Sequence, residues 1–593
     1  MTEHVRLAPA LVPPAVTPAG IQTVPELRRR RLFMLGANLA TYLAMAFAMA
    51  TIAGAGGWTA IDVVLFVCFL IAAPWTVLGF WNAVVGLWLL HGARDGMWQV
   101  APFAGAGDGA EPLRLSTAVL MTLRNEDPTR ALMRLKVVKR SIEETGFGER
   151  FGYFILSDTS IPEVAAREEA LVAEWRAQSP DPERIVYRRR AQNTGYKAGN
   201  VRDFCETHGR GYDLMLPLDA DSLMAGPQIV RLVRMMQAHP RLGILQSLVV
   251  GAPSKSAFAR IFQFGMRHGM RTYTMGSAWW IGDCGPFWGH NALVRIAPFA
   301  EHCHLPVLPG GPPLGGHVLS HDQVEATLMR KAGYEVRVLP DETGSWEENP
   351  PTLFEFSNRD LRWCQGNMQY AKLLDLPGLL PMSRFQLAWA ILMFVGVPAT
   401  TLMIALAPLK LLDGDVAAFP AGLAISLYVT FLLMFLAPKL AGLSDILLTK
   451  GGVKRWGGAP RFLAGAVIEI VFSFLLGAAT TFRIAVFMAG LPFGKSVLWN
   501  GQARDAHGIA WATAVRGLWP PFVFGVVVCG ALALLSPATL LWSLPLTLGY
   551  LVAFPFAVAT AAPALGAFLA RHKICAVPEE FEAPAELKAL HGW

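Results

Sequence analysis

The chain has 593 residues, of which 53% are hydrophobic and only 16% charged, against roughly 25% charged in soluble globular proteins. Its mean hydropathy is +0.39, and the apolar excess sits in blocks at both ends, which excludes a disordered chain, a secreted disulfide scaffold and a wholly soluble enzyme. The net charge of +7 does not point to nucleic acid, because the basic residues flank apolar segments, as the positive-inside bias produces.

Residues 1–31 read as a cytosolic tail ending in the run Arg28 to Arg31. No signal peptide is expected, since polar and Pro-containing sequence precedes the first apolar run. Two membrane helices are expected within 32–90, each with the roughly 20 apolar residues that a crossing needs. A water-facing domain follows over 91–385. The seven cysteines show no CxxC spacing, which fits a reduced, cytosolic setting.

Within the domain, short apolar runs alternate with amphipathic ones. Strands are expected at 117–121, 153–156, 214–218 and 244–250, with a helix over 129–145. This is an α/β pattern with a mainly parallel sheet, in which ligands bind at the carboxyl ends of the strands. The first strand runs into Arg124-Asn125-Glu126-Asp127, the second into Ser157-Asp158-Thr159, the third into Asp219-Ala220-Asp221. Any one of these carboxylates could be a turn or helix cap, but three strand ends delivering carboxylate to one crevice suggest a site. Asp219 and Asp221 have the spacing to hold a divalent hard cation on a diphosphate. The basic run Arg188 to Arg190 precedes Gly195-Tyr196-Lys197-Ala198-Gly199-Asn200, where the Gly-flanked Lys197 suits a phosphorylated ligand. Neither GxGxxG nor a Walker loop is present. Further on, Asp322 in Ser320-His321-Asp322 opens a helix as a cap or a general base. Arg362 and Trp363, in Arg359-Asp360-Leu361-Arg362-Trp363, offer a platform for a diphosphate and a sugar ring.

Two more membrane helices are expected within 386–440, separated by a loop holding Asp413 and Asp415. Residues 441–515 read as cytosolic or interfacial. The apolar block 462–491 within them contains Glu469 and Arg483, which are costly in lipid, and is read as an interfacial helix or a tight hairpin with no net crossing. Two final membrane helices within 516–562 return the tail 563–593 to the cytosol, giving an even number of crossings.

These motifs, in order, resemble those of processive family 2 glycosyltransferases, the group that includes cellulose synthase: an Asp after the second strand, a DxD, a TED-type motif and Q(Q/R)xRW. The third motif here keeps only its Asp, and the fourth has Arg359 and Asp360 where the Gln and the variable Gln/Arg stand. The segments Thr122 to Asp127, Gly195 to Asn200, Leu319 to Asp322 and Arg362 to Asn367 are similar to the glucans biosynthesis glucosyltransferase H family, which makes the backbone of osmoregulated periplasmic glucans. The resemblance implies a glycosyltransferase-A-type α/β domain inserted between transmembrane helices of a bacterial inner-membrane, multi-pass protein, with the catalytic domain cytosolic. It implies UDP-glucose as donor, bound by Glu126, Asp158, Lys197 and Arg362, and Mg²⁺ or Mn²⁺ on Asp219 and Asp221. Asp322 would be the base of an inverting transfer and Trp363 the acceptor platform. The segment 495–512, with Trp499, Asn500, Arg504 and Asp505, stands where such synthases carry a gating loop. The growing glucan and the lipid bilayer are implied partners, with a periplasmic glucan-processing protein and a carrier protein as further candidates. The alternatives are a cellulose- or mannan-type synthase, or a membrane transporter with a cytosolic regulatory domain.

Overall fold

The computed structural model describes residues 21–412, 418–497 and 505–591; Asp413, Asp415, Trp499, Asn500 and Arg504 lie outside the described residues. Among the described residues ten strands form two sheets. In chain order they are β1 (Thr117–Leu123), β2 (Phe151–Ser157), β3 (Ile185–Arg189), β4 (Leu214–Asp219), β5 (Leu223–Met224), β6 (Leu242–Ser247), β7 (Val250–Gly251), β8 (Ala292–Arg295), β9 (Glu335–Leu339) and β10 (Ser345–Glu347). The main sheet has the order β3-β2-β1-β4-β8-β6-β9. It is parallel except at β8, which runs antiparallel to both β4 and β6. A small sheet, β5-β10-β7, lies apart.

The central strands are continuous apolar runs because both faces are covered. Side chains alternate between faces: Val119, Met121 and Leu123 of β1 pack with Leu135 and Val138 of the helix Pro128–Glu143. Ala118 and Leu120 pack with Phe204 and Val324 on the other side.

Among the described residues six helices are long and apolar enough to cross a membrane: Val24–Gly54, Ala60–His91, Pro381–Leu412, Ala421–Leu448, the stretch Ala459–Phe493, and Trp511–Leu535. A seventh apolar unit, Pro537–Leu551 with Ala553–Ala561, is bent by 58°, so the expected last helix is broken. Two further expectations change. The arginine run belongs to the first helix, which is capped by Thr23 and begins at Val24. Arginine is a good helix former, and here Arg30 and Arg31 dock the helix on the domain through Trp279 O at 3.1 Å and Asp283 Oδ1 at 2.6 Å. The block 462–491 is no hairpin but part of one continuous helix, Ala459–Gly490. Its charge is matched inside the protein: Glu469 accepts from Lys439 and, at 2.7 Å, from Ser473.

That helix lies lengthwise against the domain. Its first half meets the helix Ala257–Ile281, with Phe462 against Phe264 at 6.0 Å and Phe472 against Phe258 at 5.2 Å. Its second half meets the helix Leu353–Gln369, with Arg483 over Phe354 at 5.6 Å and Ile484 and Phe487 against Cys364. The chain's end is a strap rather than a loose tail. Glu580 pairs with Arg260 at 2.6 Å, both 1% exposed, and Glu579 with Arg267 at 3.0 Å. Glu586 accepts from Ser141 at 2.5 Å, and Leu587 enters the core of the sheet domain.

Candidate active site

β2, β1 and β4 are adjacent and parallel, so their carboxyl ends open side by side on one edge. The loops there are stitched together. Asn125, at φ +62°, accepts from the backbone of Ser160 and Ile161 at 2.9 and 3.1 Å, and donates its own N–H to Thr159. The result is one cavity of about 1880 Å³ lined by Glu126, Asp158, Lys197, Asp219, Asp221, Asp322, Arg362, Trp363 and Asp505. All the sequence-derived site residues that are described therefore meet in one space.

Their individual settings differ from a simple ring of ligand-facing groups. Asp158 is 3% exposed, and its carboxylate is held by Arg190. Arg190 also donates to Thr194 O at 3.0 Å and Tyr196 O at 2.9 Å, so the pair shapes the loop that presents Lys197. Gly195 at φ +72° and Tyr196 at φ +54° carry that loop into the helix Tyr196–Thr207, a backbone that glycine adopts without strain. Lys197 Nζ donates to Asp219, which also accepts from Thr122 on the neighbouring strand at 3.2 Å. Burial works against the Asp219 carboxylate, but Lys197 and His290 outweigh it and draw its pKa down to about 2. Glu126 is pushed up to about 7 by burial, with Asp219 and Asp221 adding repulsion.

Crowding of three carboxylates at the strand ends fits a hard divalent cation, which would relieve their repulsion. Among the described residues no group of three His, Cys, Asp or Glu side chains is arranged to hold a metal ion. Asp219 and Asp221 are the pair at the strand ends that could hold such a cation.

Asp322 lies in the first turn of the helix His321–Lys331. Its loop is fixed to the helix Leu353–Gln369 and the turn after it: Tyr370 donates to Ser320 O at 2.7 Å, Gln369 accepts from Leu319 N at 2.9 Å, and a Cβ at Gly366 would strike Ser320 Oγ. Burial alone would lower the pKa of His321. The Glu325 carboxylate, 2.9 Å from Nδ1, outweighs burial and raises it, with Asp322 contributing in the same sense. One turn before Gly366, Trp363 stands 47% exposed on the cavity wall while Arg362 is buried.

The segment preceding residue 498 is pinned by Val497 N on Gln365 Oε1 at 2.9 Å. Asp505, following residue 504, pairs with Arg130, which is also forked on Glu348 at 2.9 Å. Both anchors border the cavity. Arg130, Glu348 and Arg190 carry no motif of their own. Only the register Ser157↔Arg189 places Arg190 beside Asp158, and a linear reading of three consecutive arginines does not distinguish them.

Beyond Trp363 the cavity continues between the apolar helices, past Tyr273, Trp280, Phe385, Trp389 and Trp75. Trp75 and Trp389 are stacked with centroids 5.4 Å apart, and Phe385 stacks on Trp389 at 5.6 Å.

The family model described as glycosyl transferase family group 2 matches residues 214–438. Over 94% of its length the chain is 35% identical to the glucans biosynthesis glucosyltransferase H of Xanthomonas campestris pv. campestris (strain B100), spanning 88% of that protein. Over 95% of its length it is 33% identical to the protein of the same name from Vibrio cholerae serotype O1 (strain ATCC 39315 / El Tor Inaba N16961), spanning 79% of it. Among solved structures, a mannosyltransferase from Pyrobaculum calidifontis in complex with GDP-Man and Mn²⁺ aligns at 15% identity and a TM-score of 0.38, covering 64% of this chain and 99% of that one. With glucosyltransferase relatives matching almost end to end, the transporter alternative falls away. The strand-end carboxylates belong to a membrane-embedded glycosyltransferase of glucan biosynthesis, and the chain is a member of the glucans biosynthesis glucosyltransferase H family.

Proposed function

We propose that this protein is a bacterial inner-membrane processive glucosyltransferase that uses UDP-glucose to build, and pass into the membrane region, a linear β-1,2-glucan. The observation that carries this reading is the single cavity running from Asp219 and Asp221, past Asp322 and Trp363, to the stacked Trp75 and Trp389. Donor, acceptor end and product path then share one space.

In this reading Lys197 and Arg362 face the diphosphate, with Glu126 beside it, and the Asp158–Arg190 pair holds the loop around the nucleotide. Asp219 and Asp221 would hold Mg²⁺ or Mn²⁺, which supplies charge neutralisation to the departing diphosphate. Trp363 stacks on the terminal sugar of the acceptor and aims its hydroxyl at the anomeric carbon. Asp322 takes the hydroxyl proton as the new C1–O bond forms and the bond from C1 to the phosphate oxygen breaks, releasing UDP. One displacement turns an α-linked donor into a β-linked product, and no covalent glucosyl-enzyme is needed.

In this reading the domain and both described ends of the chain face the cytosol, with six crossings. The helix Ala459–Gly490 lies along the interface as a non-crossing element, supported by contacts with the domain along both its halves. Residues 495–512 act as a gate over the donor, supported by the anchors Val497–Gln365 and Asp505–Arg130.

The test uses the full chain in nanodiscs with UDP-glucose and Mg²⁺, wild type against Asp322→Asn. UDP release with β-1,2-linked glucan, reduced roughly 10²–10⁴-fold in the variant while UDP binding persists, is the expected result. Another linkage would move the protein to a cellulose- or mannan-type sister activity. Failure to bind UDP-glucose would overturn the donor assignment.

A further inference from the structure

The position at which the fourth motif departs from the cellulose-synthase pattern is placed on the cavity wall. Asp360 lines the cavity on the same helix, Leu353–Gln369, as Trp363. Residues three apart on a helix share a face. Gly366 marks where that helix meets Ser320, two residues from Asp322. At about 1.5 Å rise per residue, Trp363 lies about 4.5 Å and Asp360 about 9 Å along the axis from that point. Asp360 is thus one step further from the reacting centre than the aromatic platform.

The carboxylate of Asp360 has no hydrogen-bond or ion-pair partner among the described residues. Its sequence neighbour Arg359 lies over the rings of Trp363 at 4.6 Å, Phe356 at 5.2 Å and Phe262 at 5.9 Å. Asp360 is half-buried on the cavity wall, where a carboxyl group is costly unless something donates to it, and burial moves its pKa up to about 6 against the opposing pull of Arg359. An ionised carboxylate can only accept hydrogen bonds, and its two oxygens can take two donors at once. A pyranose presents paired hydroxyls at its edge and apolar C–H groups on its faces. Trp363 suits a face and Asp360 suits an edge.

We infer that Asp360 forms a second acceptor subsite, accepting hydrogen bonds from hydroxyls of the penultimate glucose while Trp363 stacks on the terminal one. The inference rests on the glucan-synthase reading above and extends it to a residue that the shared motif leaves unassigned. With the penultimate sugar held at its edge, the rotation of the terminal sugar about the last linkage is restricted, and so is the choice of hydroxyl offered to the donor.

The experiment compares wild type, Asp360→Asn and Asp360→Glu, full length in nanodiscs. Binding of glucose and of a β-1,2-linked glucose disaccharide is titrated by saturation-transfer NMR without donor, and UDP affinity is measured on the same samples. The expected result is disaccharide binding at least 10-fold tighter than glucose in wild type. Asp360→Asn should lose that preference while keeping UDP affinity and glucose binding, and Asp360→Glu should recover part of it. In turnover, Asp360→Asn should give shorter glucan and a larger share of UDP released by transfer to water. An unchanged disaccharide preference in Asp360→Asn, or no such preference in wild type, overturns the subsite. Loss of UDP affinity together with disaccharide binding would show a structural role instead and would also overturn it. Because the binding arm needs no donor, a wild type that fails to use UDP-glucose would sink the donor assignment separately.

Discussion

One guanidinium occupies both carboxylate oxygens of Asp158: Arg190 Nε donates to Oδ1 at 2.7 Å and Nη2 to Oδ2 at 2.6 Å. The fork ties the acid that the motif marks for the nucleotide to Arg190, which also donates to the backbone of Thr194 and Tyr196. Both side chains are largely buried.

Asp158→Asn should break this fork and leave Arg190 buried with its charge uncompensated, at a cost of about 3–5 kcal/mol. Arg190→Lys should fail almost as badly, because an ammonium group cannot reproduce the planar fork. Thermal unfolding and UDP isotherms should show lower stability and weakened nucleotide binding in both variants. Unchanged UDP affinity in either one would return Asp158 to a purely structural place.

Lys197 on Asp219 sets up a competition with any cation. Chelation should stop turnover, and Mg²⁺ or Mn²⁺ should restore it. Asp221→Asn should raise the cation concentration for half-activity by at least about 10-fold. Lys197→Met removes the competitor, so it should lower that concentration while raising the KM for UDP-glucose. Cation titrations of initial rate check all three directions.

Arg130 joins Asp505 to Glu348, yet the Asp505 side chain is 88% exposed, so the contact should add no more than about 1 kcal/mol to stability. Asp505→Asn is expected to leave the unfolding midpoint nearly unchanged and to speed UDP-glucose dissociation. The double variant Arg130→Ala/Asp505→Asn should dissociate donor no faster than Arg130→Ala alone. Stopped-flow release with a fluorescent UDP-glucose analogue reads this directly, and additive effects would dissolve the proposed gate contact.

Far from the cavity, Asp181 takes Lys139 at 2.9 Å, Ser179 at 2.5 Å and Arg184. Burial pushes its pKa up, but these donors outweigh it and the net displacement is downward. A carboxyl with a depressed folded-state pKa stabilises fully above its unfolded value, near 3.9, and loses that contribution as pH falls through the folded value. Asp181→Asn should therefore cost about 1.5–3 kcal/mol at pH 7, with the gap to wild type closing below about pH 4. Unfolding midpoints at pH 7 and at pH 3.5 provide the comparison.

Strands β1, β2 and β4 are legible in sequence because buried parallel strands are unbroken apolar runs ending in polar turns. The edge strand β3 carries Tyr187, Arg188 and Arg189, and its half-exposed pattern gives no such run. The DxD and Asp322 are visible because their chemistry is compressed into three residues. Arg190 and Glu348 reach the site through strand register and a distant loop, and no local spacing records that. The block containing Glu469 reads as costly in lipid from its charge alone. Its partners Lys439 and Ser473 come from the preceding apolar helix and one turn further along its own, a pairing that hydropathy does not register.

The C-terminal strap has a consequence for how the protein is made. Arg260 and Arg267 precede their carboxylate partners Glu580 and Glu579 by 320 and 312 residues, so the partners are synthesised much later. Until this strap is made, Arg260 lacks its carboxylate partner and Arg267 has Glu342 alone, and a product ending before residue 579 completes neither arrangement. Synthesis of the strap and closure of the domain onto its membrane helices thus coincide, and a chain terminated before the strap is left open to proteolysis with its sugar-transfer machinery already synthesised but not locked in place.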